Sequence, residues 1–190
     1  TFYALGDHMH TGDDVINAGL GNDLITGAAG SDTIDGQSGF DTVSYSDVTG
    51  ATSHGQASVV GMAINLTEEA VDDADVAAAF GGTTIVTGND ALAAELSAGT
   101  VQYLVDNTAK SAAYDIDVLT SLEGIIGSGL NDLILLGAGG MTVDAGNGDD
   151  VVVSGTGDDT IDGAAGADVF VIRSSADHGL AEVITGGAGD

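Results

Sequence analysis

The sequence predicts a mainly β fold: a parallel β-roll, or two-sided β-solenoid, with 18 residues per coil, in two blocks around a small inserted α+β segment. The first observation is a nine-residue motif that recurs in one frame, with glycine at position 4, aspartate at position 6 and an aliphatic residue at position 8. The second is the absence of proline, which suits long ladders of short strands. A fixed internal period of this kind decides the fold before local propensity does. The clearest units are Ala18 to Thr26, Gly27 to Asp35, Gly36 to Ser44, Ala145 to Val153, Ser154 to Asp162 and Gly163 to Val171.

Each unit is expected to form a loop of six residues followed by a strand of three. Neighbouring strand residues point to opposite faces, so position 8 faces the core while positions 7 and 9, mostly Thr, Asp, Ser and Val, point outward. After Val171 the frame slips by five residues and resumes with Glu182 at position 6 and Ile184 at position 8. The expected core residues at position 8 are Ile16, Ile25, Ile34, Val43, Ile125, Ile134, Val143, Val152, Ile161 and Phe170.

The period divides the chain into a first block over 1–44, an insert over 45–117 and a second block over 118–190. Within the insert, 61–66 and 99–105 are predicted strands, and 67–80 and 90–97 are predicted helices. We expect the insert to pack on the roll as a small cap. The sequence ends partway through a unit, so we expect it to be part of a longer protein.

The composition excludes several classes of function. Thirty acidic residues against two basic ones give a formal net charge of -28, so nucleic acid and anionic membranes are poor partners. The absence of cysteine excludes disulfides and thiolate metal sites. No apolar run approaches the roughly 18 residues of a membrane helix. Acidic, glycine-rich chains are often disordered, yet 43% of the residues are hydrophobic. We therefore expect a chain that is disordered without metal and folded with it.

The rows of aspartates indicate a hard cation. Calcium takes six to eight oxygen ligands and tolerates irregular geometry. Glycine loops can turn several carbonyl oxygens toward one point, and the position 6 carboxylates supply negative charge. A single loop aspartate is more often a turn former, but the shared frame of many units favours metal binding.

The repeat resembles GGxGxDxUx, the nonapeptide of the RTX (repeats-in-toxin) family. In addition, Asp117 to Ser128, followed by Asn131 and Asp132, is similar to the stretch that leads into the repeats of serralysin-type C-terminal domains, and Gly39 to Ser46 also resembles that family. The resemblance implies a calcium-binding module of a secreted bacterial protein that folds on calcium binding after type I export. It implies an extracellular or cell-surface location and about four to six calcium ions.

In the RTX pattern, an ion lies between unit n and unit n+2. It takes carbonyls from positions 2 and 4 and the position 6 carboxylate of the first unit, and carbonyls from positions 1 and 3 and the position 6 carboxylate of the second. The resemblance therefore implies four sites. Site 1 comprises His10, Gly12, Asp14, Gly27, Ala29 and Asp32; site 2 comprises Gly19, Gly21, Asp23, Gly36, Ser38 and Asp41. Site 3 comprises Ser128, Leu130, Asp132, Ala145, Asn147 and Asp150; site 4 comprises Gly146, Gly148, Asp150, Gly163, Ala165 and Asp168.

Two units depart from this pattern. Met141 stands at position 6, so pairings of its unit with those of Glu123 and Asp159 lack one carboxylate and are expected to be weak, water-completed or empty. Asp159 is also a candidate partner of Glu182. Leu130 stands where glycine is usual, which is expected to strain the loop of site 3. The pair His8 and His10 lacks a third ligand for a zinc site.

The sequence contains no recognisable active-site motif: no His-Glu-x-x-His helix, no Gly-x-Ser-x-Gly elbow and no phosphate-binding loop. We therefore expect a non-enzymatic calcium-binding module. The alternatives are the C-terminal part of a secreted protease, lipase or epimerase, and a surface-layer or adhesin segment that self-associates or binds a cell-surface partner through its insert.

Overall fold

The structure is a computed structural model that describes residues 2–4, 12–26, 30–48, 59–67, 100–105, 116–172 and 182–189; for 2–4, 59–60, 100–105 and 116 it describes the backbone only. Within these ranges the chain forms strands and no helix. The strands are β1 (Phe2–Ala4), β2 (Val15–Asn17), β3 (Leu24–Thr26), β4 (Thr33–Asp35), β5 (Thr42–Ser44), β6 (Val59–Asn65), β7 (Thr100–Val105), β8 (Ile116–Thr120), β9 (Gly124–Ile126), β10 (Leu133–Leu135), β11 (Thr142–Asp144), β12 (Val151–Val153), β13 (Thr160–Asp162), β14 (Val169–Val171) and β15 (Val183–Thr185). No described segment forms a helix both long and apolar enough to cross a lipid bilayer.

The described strands form two sheets. The first has the order β1-β3-β5-β9-β11-β13-β15, and the second the order β14-β12-β10-β6-β7-β8-β4-β2. Strands of successive units alternate between the sheets and pair in parallel with the strand one coil away. Ile16 lies beside Ile34 in the second sheet, and Ile25 lies beside Val43 in the first. The predicted mainly β, parallel roll is therefore confirmed.

The core lies between the two sheets and is built on the position 8 residues, joined by other buried side chains such as Tyr45, Met62 and Leu136. Ile25, Ile34, Val43, Ile134 and Val152 have no exposed surface. Burying such a side chain contributes roughly 1.5–3 kcal/mol, so stacked rows of them hold the sheets together. Toward the last described coil the core opens, because Phe170 is only partly buried and Ile184 is 39% exposed.

The outer face of the second sheet differs from the expected pattern. At positions 7 and 9, Leu133, Leu135, Val151 and Val153 are all buried, each at most 2% exposed. By contrast, Val15 at position 7 of β2 is 72% exposed. Strands β10 and β12 are therefore buried on both faces, which explains their continuous apolar sequence.

The loops depend on glycine at position 4 because successive coils approach closely there. Gly166 has a φ of 149°, and a Cβ atom on it would lie 1.7 Å from the carbonyl oxygen of Gly148 one coil earlier. Glycine is the residue that tolerates both this backbone conformation and this contact. Where a coil stacks on a preceding one in this way, the motif glycine is thus required by stacking.

Part of the insert is built into the second sheet. Strand β6 pairs in parallel with β10 and antiparallel with β7, and β7 pairs antiparallel with β8. The strands expected at 61–66 and 99–105 thus lie at β6 and β7, in the sheet rather than on it, because the antiparallel pair β6–β7 fills the gap between β8 and β10. The predicted helices at 67–80 and 90–97 lie outside the described residues, apart from Thr67. The segment boundaries at 44/45 and 117/118 stay a prediction.

The frame slip after Val171 does not change how the following strand pairs with the strand one coil earlier. Strand β15 pairs in parallel with β13, and Ile184 lies beside Ile161. The predicted return of the period at Glu182 and Ile184 is therefore confirmed. His8, His10, His54 and His178 lie outside the described residues.

Candidate metal sites

The position 6 residues form a ladder that links each coil to the next. The backbone N–H of the position 6 residue in one unit donates to a carboxylate oxygen of the position 6 residue one coil on. The donor–acceptor pairs are Asp14 to Asp32 (2.9 Å), Asp23 to Asp41 (2.9 Å), Asp132 to Asp150 (2.7 Å), Met141 to Asp159 (2.9 Å) and Asp150 to Asp168 (3.0 Å). One carboxylate oxygen of each acceptor is therefore held by the backbone, which fixes where its second oxygen lies.

Two of these second oxygens are buried without a hydrogen-bond partner: Oδ2 of Asp41 and Oδ2 of Asp150. Both residues have no exposed surface. Leaving a buried charged acceptor unsatisfied costs roughly 1–3 kcal/mol or more. A cation beside these oxygens would remove that cost, so the residues present fit a bound calcium ion.

Burial changes the acidity of the second-block carboxyls. The pKa of Asp150 is raised to about 8, chiefly by desolvation; the charges of Asp132, Asp168 and Asp149 add to this rise, and a hydrogen bond from the Asp132 backbone opposes it. Desolvation also raises the pKa of Asp132 to about 7, although hydrogen bonds from Ser128 and Met62 oppose the shift. Without a cation, burial therefore shifts both carboxyls toward the protonated form.

At site 1 the described residues are Gly12, Asp14 and Asp32. Asp14 and Asp32 are linked by the ladder hydrogen bond. The other three predicted members, His10, Gly27 and Ala29, lie outside the described residues.

Site 2 is described completely, and the structure brings its two loops together. The N–H of Gly21 donates to the carbonyl of Ser38 at 2.9 Å, and the N–H of Ser38 donates to the carbonyl of Gly19 at 3.0 Å. Gly36 lies against the carboxylate of Asp41, since a Cβ on it would be 2.8 Å from Oδ2 of Asp41. The loop backbone, Asp23 and Asp41 thus lie around the buried Oδ2 oxygen.

Site 4 repeats the geometry of site 2. The N–H of Gly148 donates to the carbonyl of Ala165 at 2.9 Å, and the N–H of Ala165 donates to the carbonyl of Gly146 at 3.0 Å. A Cβ on Gly163 would be 2.4 Å from Oδ2 of Asp168, so its loop also closes on its own aspartate. The two sites thus share one construction.

Site 3 has a different loop. Leu130 does not adopt a positive φ, so the expected strain at this position is absent. Ser128 instead donates to both carboxylate oxygens of Asp132, from its N–H to Oδ2 and from its hydroxyl to Oδ1, each at 2.6 Å. On the partner unit, Asn147 donates its N–H to the carbonyl of Ser128 at 3.4 Å, and Ala145 is fully buried. The Asp132 carboxylate therefore already has protein donors on both oxygens.

Glu123 and Asp159 flank the unit that lacks an aspartate. Oε2 of Glu123 accepts a hydrogen bond from the N–H of Asp41 at 2.9 Å. Asp159 accepts from the N–H of Met141 and, at 3.3 Å, from that of Gly155. Both side chains thus occupy ladder positions, while the buried Met141 supplies no oxygen. Their role as metal ligands stays a prediction.

Sequence reasoning missed Asp117 as a ladder residue. Its Oδ1 accepts from the N–H of Asp32 at 2.9 Å, and its Oδ2 accepts from the hydroxyl of Tyr45 at 2.9 Å. Asp117 lies two residues before the core residue Leu119, which is the Asp-x-aliphatic part of the motif. That signal was available, but Asp117 falls outside the nine-residue frame.

A second ladder lies at position 5. Oδ1 of Asp13 accepts from the N–H of Ser31, and Oδ1 of Asn22 accepts from that of Phe40, at 2.9 and 3.1 Å. In the second block, Asn131 and Asp149 accept in the same way from residues one coil on, both at 2.9 Å. These exposed Asx side chains hold the loops in register.

In the described part of the chain, no three His, Cys, Asp or Glu side chains converge on one point. Each RTX-type site would bring only two carboxylates to an ion. Any calcium site here therefore depends on backbone carbonyl oxygens, as the glycine loops allow.

Comparison with known families agrees with this geometry. The RTX calcium-binding nonapeptide repeat matches residues 10–43 and 142–171, in four copies. No curated protein matches the chain. The matched segments contain the whole of sites 1, 2 and 4. The chain carries RTX calcium-binding repeats. The structure adds that 124–135 and 183–189, outside the matched segments, stack in the same ladder arrangement.

Proposed function

We propose that this calcium-binding RTX module is a folding switch of a secreted bacterial protein. In the low calcium of the cytosol the acidic coils would stay incompletely folded, which helps export by a type I system. Outside the cell, where calcium reaches about the millimolar range that extracellular modules use, the coils would close. The observation that supports this most directly is the pair of buried, unsatisfied carboxylate oxygens on Asp41 and Asp150.

The electrostatics of the metal-free chain support the proposal. Asp41, Asp150 and Asp159 have no exposed surface, in a chain of formal net charge -28. Burying an ionised carboxylate is costly unless it is paired, and the described part of the chain contains no Lys or Arg to pair with it. Calcium supplies the missing positive charge when it is bound. Its binding free energy then adds to the stability of the folded state.

Sites 2 and 4 are the best candidates for ion binding. In both, stacked loops lie beside a position 6 aspartate, with the ladder hydrogen bonds of Asp41 and Asp168 already formed. The residues that would hold the ion are the two position 6 aspartates together with the loop carbonyls. Site 3 is weaker, because the Asp132 carboxylate is held by Ser128.

The proposal is tested by locating the ions directly. An anomalous difference map from crystals grown with calcium should show peaks beside Asp41 and beside Asp150. Isothermal titration calorimetry should show calcium binding that magnesium does not replace, since magnesium demands a near-ideal octahedron. Crystals whose loops bind no ion in saturating calcium would refute the proposal.

We further propose that the chain itself has a binding and folding role, and that any chemistry of the parent protein lies in another domain. The similarity of Asp117 to Ser128 to serralysin-type domains supports a secreted enzyme as the parent. The alternative, a surface-layer or adhesin segment, predicts calcium-dependent self-association of the purified chain, which size-exclusion chromatography would detect.

A further inference from the structure

The middle of the roll contains two buried carboxylates that are satisfied by protein donors. Asp117 has no exposed surface, and its two oxygens accept hydrogen bonds from the N–H of Asp32 and from the hydroxyl of Tyr45. Tyr45 is itself 1% exposed, and its own N–H donates to the carbonyl of Ile126 at 2.9 Å. Tyr45 is therefore anchored at its backbone by Ile126 and at its hydroxyl by Asp117.

Asp132 is satisfied in a comparable way. Its Oδ1 accepts from the N–H of Met62 at 2.8 Å and from the hydroxyl of Ser128, and its Oδ2 accepts from the N–H of Ser128. The donor at Met62 belongs to strand β6 of the insert. The antiparallel pair β6–β7 is thus joined to the second block by the same amide–carboxylate link that joins the repeats.

The contrast with the flanking coils is local and specific. Asp41 and Asp150 each use one oxygen in the ladder and bury the other without a partner. At Asp117 and Asp132 the corresponding oxygen has a donor from Tyr45 or Ser128. In the middle of the roll, the ladder positions of Asp117 and Asp132 are therefore complete with protein groups alone. In the second block, Asp159 also has a donor on each oxygen, from Met141 and, at 3.3 Å, from Gly155, next to the unit that lacks an aspartate.

Packing in the same region is also independent of metal. Met62, Ile64 and Leu136 are at most 2% exposed, and strand β10 is buried on both faces. In the last described coil, by contrast, Val169 and Val183 are 48% and 51% exposed. Apolar burial, the main favourable term in folding, is thus high around the carboxylates that have protein donors; it extends to β12 and falls toward the last described coil.

We propose that Tyr45 and Ser128 take the place of calcium at the ladder positions of Asp117 and Asp132. The middle of the roll would then form without metal. This middle segment comprises residues 30–35, 45–48, 59–67 and 116–136. It provides a template on which the outer coils, around 15–26, 36–44 and 145–172, add when calcium is present. The inference rests on the proposed function and specifies which part of the chain responds to the ion.

The test is hydrogen–deuterium exchange of the full chain, measured by mass spectrometry in chelator and in saturating calcium. In chelator, amides of 118–120 and 133–135 should exchange at least about tenfold more slowly than those of 15–17 and 169–171. Calcium should then protect the outer strands. If the middle strands exchange as fast as the outer ones in chelator while calcium protects both, the inference is wrong and the proposed function stands. If calcium protects no strand, both are wrong.

Two variants test the donors. Tyr45→Phe keeps the buried ring and removes the hydroxyl, and Ser128→Ala removes one of the donors to Asp132; Ser46→Ala, at an exposed position, is the control. In chelator, Tyr45→Phe should raise the amide exchange rate of 118–120 by about tenfold, and Ser128→Ala should do the same for 133–135. Ser46→Ala should change neither rate. For Tyr45→Phe, calcium should restore the lost protection, because a cation can replace the missing donor at Asp117. Unchanged exchange in chelator, or a loss that calcium does not restore, would overturn the assignment.

Discussion

The backbone N–H of Asp132 donates a hydrogen bond to Oδ1 of Asp150, and the two atoms lie 2.7 Å apart across one 18-residue coil. Asp150 in turn donates its own N–H to Oδ1 of Asp168 at 3.0 Å. Asp150 is therefore linked to the coils on both sides, and it belongs to predicted sites 3 and 4.

Asp150→Ala should be more destabilising than Asp14→Ala at saturating calcium. The change removes a charge-assisted hydrogen bond worth about 1.5–3 kcal/mol and a ligand of two sites, whereas Asp14 belongs to one site. Thermal melting in calcium measures the difference. Asp144→Ala is the charge-matched control, because Asp144 is exposed on β11. Equal losses for Asp150→Ala and Asp14→Ala would argue against a shared ligand.

Gly166→Ala should destabilise the second block by about 2 kcal/mol or more. The new Cβ would meet the carbonyl oxygen of Gly148 in a backbone conformation that alanine rarely adopts. Gly12→Ala is the matched control, since no atom lies within 4 Å of a Cβ there. Chemical denaturation of both variants in calcium compares them, and equal stabilities would contradict the close stacking of position 4.

The metal-free fold should lose stability as the pH rises from about 4 to 8. Burial raises the pKa of Asp132 and Asp150 from 3.8 to about 7 and about 8. Because the folded-state pKa values exceed the unfolded ones, the stabilising contribution is complete below about pH 4 and is lost as the pH rises through 7 and 8. Melting in chelator from pH 4 to 8 measures this slope.

The double variant Asp132→Asn, Asp150→Asn provides the control for this pH dependence. Asparagine resembles the protonated carboxyl but does not titrate, so the slope should become flatter. Over the same range, calcium affinity of the unchanged chain should increase with pH, because the ion binds the deprotonated form. A metal-free fold that becomes more stable from pH 5 to pH 8 would contradict the burial of these two carboxyls.

Met141→Asp should add calcium dependence to the unit that lacks an aspartate. In chelator the variant should be less stable by about 2–5 kcal/mol, because it removes a buried apolar side chain and buries a carboxylate. Calcium should recover part of that loss, since the new carboxylate lies on the ladder between Glu123 and Asp159. Met141→Asn, which adds no charge, is the control. If both variants respond equally to calcium, position 141 is not the place of a missing calcium ligand.

The sequence determined the architecture because its period is strict. The alternation of strands between sheets and the core at Ile25, Ile34 and Val43 follow directly from nine-residue spacing. Even the slip after Val171 was predictable, since Glu182 and Ile184 restart the Asp/Glu-x-aliphatic pattern. Sites 1 to 4 came from matching the motif to a known pattern of ligands, and their occupancy stays a prediction.

Contacts between distant segments could not be predicted from the period. Tyr45 and Asp117 are 72 residues apart, and the period indicates nothing about their hydrogen bond. The place of β6 within the second sheet depends on the gap between β8 and β10, which only the folded chain defines. Leu130 was expected to strain a standard loop, but the loop changes shape around Ser128 instead.

The central claim is that calcium completes the fold of the outer coils. The most direct measurement is far-ultraviolet circular dichroism of the full chain with thermal melting, first in chelator and then in excess calcium. The account predicts a reduced strand signal in chelator, and a rise in both strand signal and melting temperature when calcium is added. An identical strand signal and an identical melting temperature in the two conditions would contradict it.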